Sequence, residues 1–238
     1  MKNHVSCICP TFARPRFLEQ AVKLFLRQSW QKSELIILDD SPYDQRGFVP
    51  ASPRIKVIRL NDRTPMGEKH NLGLDAAQGD FIAHFDDDDW QSDDRLKRQL
   101  ETLLLQDADL CGFPTGLLLT CGDARFWRFD PNYGPRIGLI GNSVIDYGVP
   151  FMDGSAMVRR SAIGATRYPI MTTGQKVVFL HTIWKAGAKL VKMPNNGMYV
   201  YVRHARNTWQ YGRDRRLLPI ERPAWFPAAD VDFYRGAA

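Results

Sequence analysis

The strongest constraint on the fold is a series of short apolar runs, each ended abruptly by polar residues. Four such runs occupy the first third of the chain, and apolar residues at helical spacing lie between them over Phe17–Phe25 and Lys69–Gln78. Strand-length runs that alternate with amphipathic helices are typical of a parallel sheet covered by helices. We therefore predict an α/β fold with strands at Val5–Cys9, Glu34–Leu38, Ile55–Leu60 and Asp80–Phe85.

The remainder of the chain is less regular. Further predicted elements are a helix over Ser92–Gln106 capped by Ser92, a strand over Leu110–Thr120 interrupted at Gly112–Pro114, a strand over Met157–Arg160, a helix over Val177–Ala186, and strands over Lys189–Met193 and Met198–Arg203. Asp130–Gly141 is rich in turn residues, and the sequence from Trp209 onward has little periodicity. One domain with a decorated C-terminal half is the simplest organisation: residues 1–209, divided at 109/110, and a basic, aromatic tail over 210–238.

Length and composition exclude several classes of protein. The chain has 238 residues, of which 44% are hydrophobic and 24% charged, as in globular proteins. Its longest uncharged apolar stretch, Leu110–Gly122, is shorter than the roughly 20 residues of a spanning helix, and residues 1–10 do not have the pattern of a secretion leader. We expect a soluble, cytoplasmic chain. The four cysteines lack paired CxxC spacing, so we expect reduced packing residues at Cys7, Cys9, Cys111 and Cys121.

The net charge of +6 is unevenly distributed. Residues 1–120 carry a net charge of −3, whereas residues 121–238 carry +9. A cationic half attracts the phosphates of a nucleotide, a lipid carrier, a membrane face or nucleic acid, or it simply solvates a surface. In the tail, basic and aromatic side chains that are interleaved can stack on bases, settle on an anionic membrane face, or pack back onto the domain. These side chains are Trp209, Tyr211, Arg213, Arg215, Arg216, Arg222, Trp225, Phe226, Phe233, Tyr234 and Arg235.

Four consecutive carboxylates, Asp86–Asp89, follow the fourth predicted strand directly. In an open parallel sheet, ligands bind at the carboxyl ends of the strands. Adjacent carboxylates repel one another unless a cation lies among them, and oxygen ligands are those that Mg²⁺ and Mn²⁺ prefer. A divalent metal site explains this cluster; a solvated acidic turn or a helix cap is the alternative.

Taken together, the sequence blocks resemble a family 2 glycosyltransferase of the GT-A fold, over roughly residues 4–209. The blocks are Val5–Phe12, Leu35–Ser41, Lys69–Asn71, Gly79–Trp90, Gly154–Arg160 and Tyr201–Trp209. The resemblance implies a Rossmann-like, mostly parallel twisted sheet with helices on both faces. It also implies a metal-dependent, inverting enzyme that moves a sugar from a nucleotide diphosphate donor, usually a UDP-sugar, to a hydroxyl of a glycan or lipid-linked acceptor. Residues 1–109 would bind the nucleotide sugar and residues 110–209 the acceptor, at a cytoplasmic or peripheral inner-membrane location.

The resemblance also implies roles for individual residues. Pro10, Thr11 and Phe12 would line the base and ribose pocket, with Arg14, Asp86 and Asp87 also at the donor. Asp40 would accept a hydrogen bond from the base, Lys69 would offset phosphate charge, and Asn71 would hold that loop. Asp86 and Asp88 would contact Mn²⁺ or Mg²⁺, and His204 would be a third metal contact unless it is structural.

One block departs from the family pattern. An acidic Glu-Asp pair, which supplies the general base in the family, is replaced by Gln175-Lys176. Three alternatives follow: Lys176 is desolvated and acts as base, another group such as Asp153 or His181 replaces it, or the chain is a binding module with little turnover. The cationic half adds a further alternative, a transferase that glycosylates modified nucleic acid bases.

Overall fold

The computed structural model describes residues 2–129, 137–140, 143–146, 149–207 and 217–237. In chain order the elements are β1 (Val5–Thr11), α1 (Pro15–Leu26), β2 (Ser33–Asp39), β3 (Ile55–Arg59), α2 (Met66–Ala76), β4 (Phe81–His84), β5 (Trp90–Gln91), α3 (Arg95–Leu105), β6 (Leu110–Gly112), β7 (Gly116–Thr120), β8 (Arg125–Phe129), β9 (Ile137–Ile140), β10 (Ser143–Asp146), β11 (Met157–Arg159), α4 (Arg160–Ile163), α5 (Gln175–Lys185), β12 (Leu190–Lys192), β13 (Tyr199–Arg203), β14 (Leu217–Ile220) and α6 (Ala228–Gly236). Two 3₁₀ turns lie at Arg46–Phe48 and Asp153–Ser155.

The central sheet has seven strands in the order β12-β6-β11-β4-β1-β2-β3 among the described residues. Only β11 runs antiparallel to its neighbours there. Strand β1 pairs with β2 up to Thr11 and Asp39, and with β4 up to Ile8 and His84. Because the strands are parallel and in register, the residues that follow β1, β2 and β4 meet at one edge of the sheet.

A second sheet brings the C-terminal half to this edge. Its strands are ordered β14-β8-β7-β13-β5, and β9 pairs separately with β10. The short strand β5 follows the four aspartates and pairs with β13 through Gln91–Tyr199 and Trp90–Val200. This pairing places the aspartates beside the end of β13 and the residues that follow it.

The described part of the tail packs onto the domain. Phe226, Val231 and Tyr234 belong to the same buried cluster as Phe17 and Trp90. The buried Asp230 carboxylate accepts hydrogen bonds from Trp90 Nε1 at 2.7 Å and Gln20 Nε2 at 3.0 Å. Of the three alternatives for the tail, these residues support packing back onto the domain. Trp209, Tyr211, Arg213, Arg215 and Arg216 lie outside the described residues.

Several element boundaries differ from the sequence predictions. Helix α3 begins at Arg95 after an Asp94 N-cap, so Ser92 is not its cap, and α2 begins at Met66, one turn earlier than predicted. The tail holds β14 and α6, which the sequence analysis did not predict. Residues 130–136 and 141 of the turn-rich segment are outside the described residues, whereas residues 137–140 form β9.

Two expectations about composition can be compared with the structure. Cys7, Cys9, Cys111 and Cys121 are free thiols, and all but Cys121 are buried. Among the described residues, no helix is long and apolar enough to cross a membrane.

Candidate functional site

The ends of β1 and β4 are tied together by hydrogen bonds to the aspartates. Thr11 Oγ1, at the end of β1, donates to Asp87 Oδ2 at 2.7 Å. Arg14, the N-cap of α1, donates from Nη1 to Asp88 Oδ2 at 2.6 Å and from Nη2 to Asp87 Oδ1. Burial raises the pKa of Asp87 to about 6, although Arg14 opposes the shift. The predicted donor residues Thr11, Arg14 and Asp87 therefore form one contiguous network.

Asp40, at the end of β2, is a buried carboxylate held by two cations, the buried Lys69 and the exposed Arg63. Lys69 Nζ donates to Asp40 Oδ1, and to the carbonyl oxygen of Thr11 at 2.9 Å. Asp40 Oδ2 accepts from Arg63 Nη1 at 2.6 Å and from the Thr64 backbone N–H at 2.8 Å. A carboxylate has about four acceptor positions, so these contacts fill most of them, and the Asp40 side chain is fully buried.

The prediction that Lys69 offsets donor phosphate charge is not supported by this placement. Its side chain is fully buried and is paired with Asp40. Burial lowers the pKa of the Lys69 amine, and the Asp40 carboxylate opposes that shift. Lys69 therefore holds Asp40 and the end of β1 in place rather than facing an open site.

The side chain of Phe12 is covered by a cation on one face. The Arg63 guanidinium lies 3.8 Å from the centre of the Phe12 ring, and the same group donates to Asp40. Stacking between a guanidinium and an aromatic ring stabilises both. Arg63 thus joins the predicted base-pocket residues Phe12 and Asp40, although the sequence analysis did not identify it.

Asp86 forms an ion pair with Lys176, the second residue of α5. Burial lowers the pKa of the Lys176 amine, but the carboxylates of Asp86 and Asp153 outweigh it, and the net shift is upward. A general base needs the opposite shift, because a protonated amine cannot accept a proton. This arrangement therefore does not support Lys176 as a desolvated base.

Asp88 is held from the C-terminal half. Its Oδ2 atom accepts from Asn207 Nδ2 at 3.1 Å and lies 3.0 Å from His204 Nε2. Because His204 Nδ1 accepts the Arg206 backbone N–H at 3.1 Å, the ring proton is on Nε2, which donates to Asp88. Burial raises the pKa of Asp88, but Arg14 and His204 outweigh that effect and lower it.

Asp89 is a structural carboxylate. Tyr199 Oη donates to its Oδ2 atom, and the Val202 backbone N–H donates to Oδ1 at 2.9 Å. Burial and the neighbouring Asp88 charge raise the pKa of Asp89. These hydrogen bonds fasten the aspartate cluster to β13.

Asp153 lies in the 3₁₀ turn near Lys176. Its backbone carbonyl accepts from His84 Nδ1 at 2.6 Å, and His84 Nε2 accepts from Tyr168 Oη at 2.8 Å. The Tyr168 ring stacks on Phe179 of α5 with centroids 3.7 Å apart. This chain of contacts fixes the turn that carries Asp153 against α5.

Asn71 and His181 lie away from the aspartates. Asn71 forms two backbone hydrogen bonds with Tyr168, both 2.9 Å long, so it holds the loop at Tyr168 against α2. His181 lies five residues after Lys176 on α5, about 140° around the helix, and contacts the Trp184 ring edge-on. The structure does not bring His181 to the cluster as a replacement base.

The side chains do not match the predicted ligand set for Mn²⁺ or Mg²⁺. Within the described ranges, no group of three or more His, Cys, Asp or Glu side chains is arranged to hold a metal ion. Asp86 is paired with Lys176, Asp88 with Arg14, and His204 presents an N–H rather than a lone pair. The sequence analysis named Arg14 and Lys176 in other roles and did not predict that they pair with the aspartates.

The family model described as Glycosyl transferase family 2 matches residues 6–165, which include β1, β2, β4 and all four aspartates. The chain belongs to glycosyl transferase family 2. This confirms the resemblance inferred from the sequence blocks.

Curated relatives of this family 2 chain cover parts of it. An uncharacterized glycosyltransferase of Haemophilus influenzae is 29% identical over 176 residues, covering 69% of this chain and 66% of the relative. The Campylobacter jejuni GalNAc(5)-diNAcBac-PP-undecaprenol beta-1,3-glucosyltransferase is 37% identical over 108 residues, covering 42% and 33% of the two chains. The chain thus spans two thirds or less of the length of these relatives.

Solved structures share the fold. Staphylococcus aureus TarS residues 1–349 in complex with UDP-GlcNAc match with a TM-score of 0.66 and 16% identity, covering 86% of this chain and 60% of that TarS fragment. The mannosyltransferase PcManGT from Pyrobaculum calidifontis, in complex with GDP-Man and Mn²⁺, matches with a TM-score of 0.62 and 15% identity, covering 85% and 57%. The α/β fold is GT-A-like, as the sequence predicted.

Proposed function

We propose that this family 2 chain transfers a sugar from a nucleotide diphosphate donor to an acceptor hydroxyl, with inversion at the anomeric carbon. The observation that carries the proposal is the convergence of Thr11, Asp40 and Asp86–Asp89 at the carboxyl edge of β1, β2 and β4. Ligands bind at this edge in open α/β sheets. The two structural neighbours were solved with UDP-GlcNAc and with GDP-Man, which supports a nucleotide sugar as the ligand.

The base pocket is assigned to Phe12, Arg63 and Asp40. The Phe12–Arg63 stack supplies a flat, cationic surface for a base, and the buried Asp40 carboxylate holds Arg63 in that position. The resemblance to the family favours uracil as the base, so a UDP-sugar is the proposed donor. Pro10 and Thr11 complete the ribose side at the end of β1.

The proposed general base is Asp153. Its turn is held by His84 and adjoins the Lys176 amine, while Asp86–Asp89 are all occupied by protein donors. Asp153 would take the proton of the acceptor hydroxyl as that oxygen bonds to the anomeric carbon and the bond to the diphosphate breaks. The diphosphate leaves with the bonding electrons, and nearby positive charge stabilises it.

The acceptor side is proposed to be a glycan or a lipid-linked glycan on residues 110–209. The Campylobacter relative is named for a glycan linked to undecaprenol, which supports a lipid-linked acceptor. Contact with a membrane face or with nucleic acid through the cationic half, and a cytoplasmic location, stay predictions.

Two variants separate the donor site from the base. We expect Asp40→Asn to weaken UDP-sugar binding about 10- to 100-fold, because the buried Lys69 loses its counterion and Arg63 is no longer held against Phe12. We expect Asp153→Asn to leave binding unchanged and to lower turnover by about 100-fold or more. The measurements are calorimetric titration with a UDP-, GDP-, CDP- and dTDP-sugar panel, and release of the nucleoside diphosphate.

The control for both readouts is Asp75→Asn, because Asp75 is an exposed carboxylate on α2. Binding with no turnover in the wild type would favour the binding-module alternative. Absence of binding to any member of the panel would contradict the proposed function.

A further inference from the structure

Two fixed cations lie where the resemblance to the family places a divalent metal ion. Arg14 contacts Asp87 and Asp88, and Lys176 contacts Asp86. We infer that Arg14 and Lys176 take over the charge-neutralising role at this edge, so that this chain binds a nucleoside diphosphate without a divalent cation. The inference rests on the proposed donor binding and concerns how that site recognises the diphosphate.

Lys176 is held in place by the fold. Lys176 is buried, with 8% of its surface exposed, in the first turn of α5. This turn has no acidic residue to complement the positive end of the helix. A lysine there is unfavourable by itself, because the helix N-terminus is already positive. The Asp86 carboxylate offsets both charges, and the stacking of Phe179 on Tyr168 fixes α5 in this position.

Arg14 is equally constrained. It is the N-cap of α1, where Pro15 starts the helix, and its side chain is only 11% exposed. Its guanidinium spans the carboxylates of Asp87 and Asp88 with one nitrogen on each. A forked guanidinium held by two carboxylates is a rigid cation, in contrast to a solvated surface arginine.

Both cations keep donors for a ligand. A guanidinium has five N–H groups and an ammonium has three. Arg14 uses Nη1 and Nη2 on the aspartates, and Lys176 donates to Asp86. The remaining N–H groups can donate to phosphate oxygens, which accept strong hydrogen bonds from cations.

A divalent cation would meet repulsion at the same place. To contact the predicted ligand atoms, it would have to approach carboxylates that are already paired with Arg14 and Lys176. His204 Nε2 lies 3.4 Å from Arg14 Nη1 and 3.0 Å from Asp88 Oδ2, so a metal ion at this nitrogen would also meet the Arg14 charge. The chain's own charges therefore compete with Mn²⁺ or Mg²⁺ for the four aspartates.

The test compares Lys176→Met with the wild type and with Lys185→Met. Methionine keeps the length of the side chain but removes the charge, and Lys185 is an exposed lysine at the other end of α5. UDP and GDP are titrated calorimetrically into each protein, once in EDTA and once in Mn²⁺. Binding of Mn²⁺ itself is followed from the loss of the free-ion EPR signal, and circular dichroism confirms that each variant is folded.

We expect wild-type affinity in EDTA to be within about threefold of that in Mn²⁺. Lys176→Met should lose about 10- to 100-fold in EDTA, the effect of one charge-assisted hydrogen bond. Mn²⁺ should restore part of this loss, with Mn²⁺ now bound by the protein, and Lys185→Met should behave as wild type. Wild-type binding that requires Mn²⁺, with Lys176→Met unaltered, would overturn the inference but leave the proposed donor site intact. No binding to the wild type in either condition would contradict the proposed function itself.

Discussion

Burial decides the charge state of several side chains around the site. His70, on α2, is fully buried, and its Nδ1 atom lies 2.7 Å from the Met66 carbonyl. Its Nε2 atom is also buried and has no hydrogen-bond partner among the described residues. Burial, reinforced by the Lys176 charge, lowers the pKa of His70 to about 4. At neutral pH the ring is therefore neutral and packs against Tyr168.

This shift makes stability depend on pH. In the unfolded chain His70 binds a proton with its ordinary pKa of about 6.5, whereas in the folded chain it does so only near pH 4. The unfolded state then binds more protons between these values, so stability is complete above pH 6.5 and is lost as the pH falls toward 4. When the pH falls from 7 to 5, we expect the free energy of unfolding to decrease by about 2 kcal/mol less in His70→Gln than in the wild type.

Urea denaturation at several pH values measures this difference. His181→Gln, a histidine on α5 that is not fully buried, is the control and should follow the wild-type curve. If the free energy of unfolding depended on pH equally in the wild type and in His70→Gln, His70 would not change its protonation on unfolding, and the prediction would be wrong.

At the scale of elements, the contact between α2 and the loop at residues 168–171 supports the site from behind. A Cβ atom built on Gly67 would overlap the carbonyl oxygen of Pro169, and the Gly67 backbone N–H donates to Met171 at 3.0 Å. Asn71 adds its two hydrogen bonds to Tyr168 one turn later. These contacts hold Tyr168, and through it His84 and the turn of Asp153.

We expect Gly67→Ala to destabilise the protein by about 1–3 kcal/mol, because a methyl group has no room between the two backbones. Helix preference alone would make the alanine variant about 1 kcal/mol more stable. The sign of the change in unfolding free energy therefore distinguishes the packing effect from helix preference. Gly47→Ala is the matched control, since nothing lies within 4 Å of its Cβ position. Chemical denaturation gives the comparison, and equal unfolding free energies for the two variants would contradict the packing described.

The elements that the sequence predicted well are those with strong local patterns. Runs of β-branched and apolar residues identified β1, β2, β3 and β4, and their parallel order placed the polar residues after them at one edge. Helix α6 was missed because its buried face includes Asp230 beside Val231 and Tyr234, which breaks the apolar spacing. The partners of Asp230 are distant in sequence, so no local pattern marks it as a buried acceptor.

At the scale of the whole molecule, the candidate site combines two distant parts of the chain. The aspartates come from the first half, whereas Tyr199, Val202, His204 and Asn207 fasten them from the second. The sequence showed that Lys176 replaces an acidic residue of the family pattern. It could not show that Asp86 is its partner, because that contact depends on how α5 packs against the central sheet.

The measurement that tests the central claim most directly is hydrogen exchange with and without a saturating UDP-sugar. Binding at the edge of β1, β2 and β4 should slow exchange at residues 12–14, 40–41 and 86–89. Exchange at the far end of α3, around the exposed Leu105, should not change. Protection confined to other surfaces, or no protection at any of these three segments, would contradict the account.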